Sequence, residues 1–114
     1  MNESKKLYIL WTNADPITSE KMVMMYGINS KLKHWWDEVT IIIWGAPAKL
    51  VSENDLIQEK IKQAILVGVN VSACKACAEQ LGVSAKLAEL GVEVKYWGEP
   101  LTEILEGNDK LLTI

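Results

Sequence analysis

Apolar residues in this chain fall into two kinds of run. One kind is short, nearly continuous and rich in β-branched side chains, and the other recurs every three to four positions. Lys6-Leu-Tyr-Ile-Leu-Trp-Thr12 is of the first kind and stops at the turn formers Asn13-Ala-Asp-Pro16, which predicts a first strand and its exit loop. Val39-Thr-Ile-Ile-Ile-Trp44 is the clearest strand, and its unbroken hydrophobicity is that of a strand covered on both faces, hence a central one. Val69 to Val71 predicts a third strand. Val92-Glu-Val-Lys-Tyr-Trp97 begins by alternating and predicts a fourth with one less-covered face, and Lys110-Leu-Leu-Thr-Ile114 predicts a last short one.

Helical spacing fills the intervals. Thr18 or Ser19 is the expected cap of a first helix, with Glu20 in its first turn and Met22, Met25, Leu32 and Trp36 as an apolar stripe facing the core or a subunit contact. After Gly45-Ala-Pro47 and a short segment, Ala48 to Val51, the residues Ser52-Glu-Asn-Asp55 open a helix with Ile57, Ile61 and Ile65 in line, and Gly68 stops it. Ser72 is the expected N-cap of a helix ending at Gly82. Ser84 to Leu90 forms another, closed by Gly91, and Leu101 to Glu106 a small one between Gly98-Glu-Pro100 and Gly107-Asn-Asp109. Strands alternating with helices call for right-handed parallel crossovers. The expectation is a single three-layer α/β/α domain over residues 1–114, built on a mainly parallel sheet of about five strands.

Composition narrows the class of protein. A chain of 114 residues with 49% hydrophobic residues can bury somewhat over 60% of its unfolded surface without a disulfide. Its apolar runs are too short to span a bilayer, and the one after Lys5-Lys6 stops at Trp11 with no cleavage site, so export is not expected and a cytoplasmic location is. The net charge is −3, with 12 basic and 15 acidic residues interspersed, which offers no basic stripe for nucleic acid and no membrane-binding surface. His34 lies beside Lys31 and Lys33 near a helix end, where a solvated or dipole-complementing role is expected rather than that of a catalytic base.

The chemistry concentrates in Val71-Ser-Ala-Cys-Lys-Ala-Cys77. If Ala73 to Ala78 form a first helical turn, both thiols project from one face, where unpaired backbone N–H groups favour a thiolate. Ser72 would cap that helix and Lys75 would add positive field. Two cysteines can also simply pack as small hydrophobes. A metal site would need ligands from another subunit, since the chain offers only Cys74, Cys77 and His34 as soft donors, so no metal and no cofactor is expected. A parallel sheet keeps its ligands outside the carboxyl ends of its strands. Four exits fall there, which places Asn13, Asp15, Ala46, Pro47 and Trp97 as candidate binding residues around Cys74 and Cys77.

The order of elements, with Val71-Ser-Ala-Cys74 at the third strand's exit, Ala78-Glu-Gln-Leu-Gly82-Val83 after it and Gly91-Val-Glu-Val94 before the closing helix and strand, resembles the DsrE/DsrF-like family over nearly the whole chain. That resemblance implies an α/β/α fold, a homo-oligomer (trimer or hexamer) and a sulfur relay. Cys74 matches the persulfide-bearing position, with donor and acceptor proteins as partners. Cys77 departs from a one-cysteine relay. As a resolving thiol it would attack a Cys74 persulfide or mixed disulfide, and the alternatives are a dithiol oxidoreductase or an assembly subunit whose cysteines only pack.

Overall fold

The computed structural model describes residues 4–114. Its centre is a five-stranded parallel sheet in the order β4-β3-β2-β1-β5, with β1 at Lys6–Trp11, β2 at Glu38–Ile43, β3 at Asn70–Cys74, β4 at Glu93–Lys95 and β5 at Lys110–Thr113. β2 is central, as its sequence predicts, and Ile41, Ile42 and Ile43 are fully buried.

Three successive crossovers step in the same direction across the sheet. Right-handedness therefore stacks their helices on one face: α1 (Pro16–Thr18) continuing through a π-helical stretch (Ser19–Met24) into α2 (Met25–Leu32), then α3 (Ala46–Glu53) and α4 (Asp55–Leu66), then α5 (Lys75–Gln80) and α6 (Ser84–Glu89). The last crossover runs back the other way, from β4 at one edge to β5 at the other. It carries α7 (Gly98–Glu106) onto the opposite face. The larger core lies under the first helical layer, around Leu7, Ile9, Trp11, Val39, Ile41 and Ile43. The smaller one, Ile42, Trp97 and Ile104, lies under α7.

Local chemistry sets the helix boundaries. The first helix starts earlier than expected, because Pro16 suits the first helical position and the Asp15 carboxylate accepts from the Thr18 amide at 2.8 Å. Bonding to Thr18 holds the Asp15 carboxyl below the usual range. The cap is intact above the ordinary aspartate pKa and is lost as pH falls through the lowered value. The segment after β2 is a full helix, α3, rather than a short link, with Gly45 at φ +81° turning the chain into it.

Of the stripe expected to face the core or a subunit contact, Trp36 packs on the core and Met22, Met25 and Leu32 face outward. Ser19, Val23, Met24, Gly27 and Ser30 face the sheet, while Met22, Met25 and Leu32 are 39%, 49% and 54% exposed. The helix lies closest to β2 at Gly27, where an added Cβ would stand 3.1 Å from the Ile41 Cδ1 atom and leave no depth for a side chain, while Val23 and Met24 bury theirs fully on the same side.

Past Leu32, the amide of His34 donates to the carbonyl of Lys31 (3.3 Å) and that of Trp35 to Ser30 (3.0 Å), a Schellman closure with His34 left-handed at φ 57°. The backbone bonds rather than the imidazole charge end this helix. His34→Gly should therefore raise stability by about 1 kcal/mol in denaturant titration.

Candidate functional site

The third strand runs further than its β-branched residues suggest and carries Ser72 inside it. Ser72 is not a helix cap: its buried hydroxyl accepts from the Trp97 indole N–H at 2.7 Å and donates to the Glu93 carbonyl at 2.9 Å, which ties β3 to β4 and α7. Cys74 takes the N-cap position instead, with extended backbone (φ −65°, ψ 115°), and α5 begins at Lys75. Because side chains alternate along a strand, Cys74 lies on the same face of the sheet as Ser72, the α7 face.

Cys77 is in the first turn of α5, on the other side of the strand end. The two cysteines flank the strand-to-helix turn, three residues apart. Burial, the hydrogen bond to Cys74 and the charge Cys74 can carry all push the Cys77 thiol up, opposed by the Gly45 and Cys77 backbone amides. We expect native-state alkylation of Cys77 to have a midpoint pH above that of a free thiol. Cys74→Ala should lower it by removing the bond and the charge, leaving only the desolvation. An unchanged midpoint would show that the thiols do not interact.

Each thiol lines its own groove. Cys77 opens onto a space of about 630 Å³ between α3 and α5, bounded by Ala46, Lys49, Leu50, Gln80 and Leu81. Cys74, only 5% exposed, lines a second space of about 630 Å³ with Trp44, Tyr96, Trp97, Glu99 and Glu103.

Of the candidate binding residues, Ala46 and Trp97 line these grooves. Pro47 is buried within the first turn of α3. Asn13 and Asp15 line neither groove and serve the turn: the Asn13 side chain accepts from the Asp15 amide at 2.7 Å, its carbonyl accepts from the Trp11 indole at 2.8 Å, and Asp15 caps α1. Ala14, between them, reaches the Cys77 groove. The Lys75 ammonium is 3.8 Å from Glu79 and 5.3 Å from the centre of the Tyr96 ring, so its charge is shared along the rim. Sequence reasoning misses Lys49, Leu50, Tyr96, Glu99 and Glu103 as lining residues. Lys49 and Leu50 sit on a helix the sequence pattern hides, and Trp44 and Tyr96 are strand-end aromatics that read as packing.

Among the described residues, no three His, Cys, Asp or Glu side chains come together as a set of metal ligands, and no helix is long and apolar enough to cross a membrane.

This geometry defines a parallel α/β protein with a two-thiol turn at the carboxyl edge of its sheet. No protein-family model matches the chain, nor does any curated protein. The chain belongs to the same family as the conserved protein of unknown function BT1422 from Bacteroides thetaiotaomicron, with 41% identity over 96% of this chain and 95% of that one and a TM-score of 0.94. It also shares its fold with the YchN protein from E. coli, at a TM-score of 0.74 and 17% identity, covering 98% of this chain and all of the other.

Proposed function

We propose that the protein is a cytoplasmic, DsrE/DsrF-like sulfur carrier that holds sulfane sulfur as a persulfide on Cys74. The observation that carries this reading is the thiol pair itself: two free cysteines three residues apart at the carboxyl edge of the sheet, where parallel sheets keep their ligands, each lining a groove. The chemistry needs no oxidant. The Cys74 thiolate attacks one sulfur of a donor S–S bond, a new S–S bond forms on Cys74, and the rest of the donor leaves as a thiolate or hydrosulfide. An acceptor thiolate then attacks the outer sulfur of the persulfide and Cys74 departs as thiolate. The reading is tested by incubating the reduced protein with inorganic polysulfide and measuring intact mass. One added sulfur, removed by a reducing thiol, supports it, and an unmodified mass refutes it.

A homo-oligomer, trimer or hexamer, belongs to the same proposal. Its support is the outward apolar stripe of the first helical body, where Met22, Met25 and Leu32 continue into Trp35, itself 51% exposed. Apolar side chains of this size along one face suit burial against another copy. Met25→Glu should shift the mass measured by light scattering toward a monomer, while an unchanged oligomer would place the contact elsewhere.

A further inference from the structure

The groove that Cys74 lines has walls of two kinds. Three of its lining residues are the aromatics Trp44, Tyr96 and Trp97 and two are the carboxylates Glu99 and Glu103, while no basic side chain lines it. Its volume, about 630 Å³, is in the range of small-molecule sites. We propose that this groove binds a small organic cation, an ammonium or quaternary ammonium compound held against the aromatic rings with the two glutamates balancing its charge. The site is non-covalent and stands whether or not Cys74 carries sulfur.

The charges select the sign of the occupant. Glu99 and Glu103 are four residues apart on α7 and so project from one face of the helix. Among the described residues, neither carboxylate lies within ion-pair distance of a basic group. The lysines that flank the rings are already matched: Lys75 is 3.8 Å from Glu79 and Lys95 is 3.7 Å from Glu93. Two negative charges are left over. The helix dipole accounts for Glu99, which is in the first turn, but not for Glu103, one turn further on.

The rings select an organic cation over a metal ion. The Lys75 ammonium stands 5.3 Å from the centre of the Tyr96 ring and that of Lys95 stands 4.5 Å from the centre of the Trp97 ring, so two of the three aromatics already attract a cation of this chain. A ring has two faces, and one ammonium takes only one of them. A hard metal ion would need more oxygen ligands than two carboxylates, and among the described residues no three such side chains come together. An alkylammonium needs no such set, because its charge is spread over methyl groups that lie directly on a ring. The Cys77 groove lacks this character: Lys49 and Glu53 both line it, and no aromatic does.

The five tryptophans give separate indole N–H signals in a nitrogen-15 spectrum, and tetramethylammonium chloride is titrated beside sodium chloride at equal concentration. The Trp44 and Trp97 signals should move and saturate with tetramethylammonium only, while that of fully buried Trp11 follows the sodium control. Replacing both exposed carboxylates, Glu99→Gln with Glu103→Gln, leaves the core untouched and should weaken binding about fivefold. A second readout uses the thiols as reporters, with methanethiosulfonates bearing a trimethylammonium or a sulfonate arm. In both, the thiolate attacks the divalent sulfur, a mixed disulfide forms and methanesulfinate leaves. Trypsin cleaves after Lys75, so the Cys74 and Cys77 adducts fall on different peptides. The ratio of cationic to anionic rates should be about fivefold higher at Cys74 than at Cys77, and the double glutamine variant should bring the two together. The proposal is overturned by signals that do not saturate, by affinity unchanged in the double variant, or by equal ratios at the two thiols. A Cys74 that neither reagent reaches overturns it as well, since a groove closed to both holds no ligand.

Discussion

Cys74→Ser should reduce polysulfide loading by roughly 100-fold or more, to the level of unspecific modification. The substitution changes one atom. It keeps the N-cap position, since serine is a preferred capping residue, and it leaves the walls of both grooves in place. What disappears is the polarisable anion: a serine hydroxyl is not ionised near neutral pH and does not attack divalent sulfur. The burial of Cys74 makes a folding control necessary, because a hydroxyl without a partner in this position costs about 1–2 kcal/mol. Circular dichroism and a denaturant midpoint separate that loss from the chemical one. Intact mass after loading then measures the chemistry alone, and a serine variant that still takes up sulfur as fast as wild type would move the carrier role to Cys77. That result is a real alternative, since Cys77 is the better exposed of the two thiols.

The strand pattern was open to reading because β-branched runs under two helical layers have few other meanings. β2 is the clearest instance, with three isoleucines in succession fully buried. Cys74 could be placed at the carboxyl edge of the sheet for the same reason, once the crossovers were taken as parallel and right-handed. Three features were hidden, each by a tertiary cause. Ser72 has the residue type of a cap, but pairing with β4 extends β3 over it and its hydroxyl serves the Trp97 indole. The methionine stripe has helical spacing, but the face that packs on the sheet is the one that carries Val23, Met24 and Gly27, with Gly27 drawn close to Ile41, and Met22 and Met25 are left outside. The cysteines have the spacing of one helical face, yet one belongs to the strand end and the other to the helix. Residue spacing could not reveal that each cysteine lines a groove of its own, because α3 and α7 come from distant parts of the sequence.

Trp97→Ala should cost about 3–5 kcal/mol of stability, which for a domain of this size lowers Tm by roughly 12–20 °C. The indole is 4% exposed and packs with Ile42 and Ile104, the residues that hold α7 to its face of the sheet. Among the described residues no second helix covers that face, so no neighbour can close over the space. Its N–H donates to the Ser72 hydroxyl at 2.7 Å, and the Lys95 ammonium stands 4.5 Å from the ring centre on the outer side. Truncation removes all three contacts at once. Trp97→Phe separates them: the ring still fills most of the volume, while the Ser72 hydroxyl loses a donor but keeps its bond to Glu93, so the expected loss is about 1–2 kcal/mol. Thermal denaturation of both variants decides between two roles for this residue. The ordering Ala much worse than Phe identifies a pillar under the Cys74 groove, and its effect on sulfur loading then follows from displacement of α7. A loss below about 1 kcal/mol in Trp97→Ala would mean instead that the indole is a ligand contact laid on a self-sufficient scaffold, because such a small value cannot include an unfilled cavity of indole size.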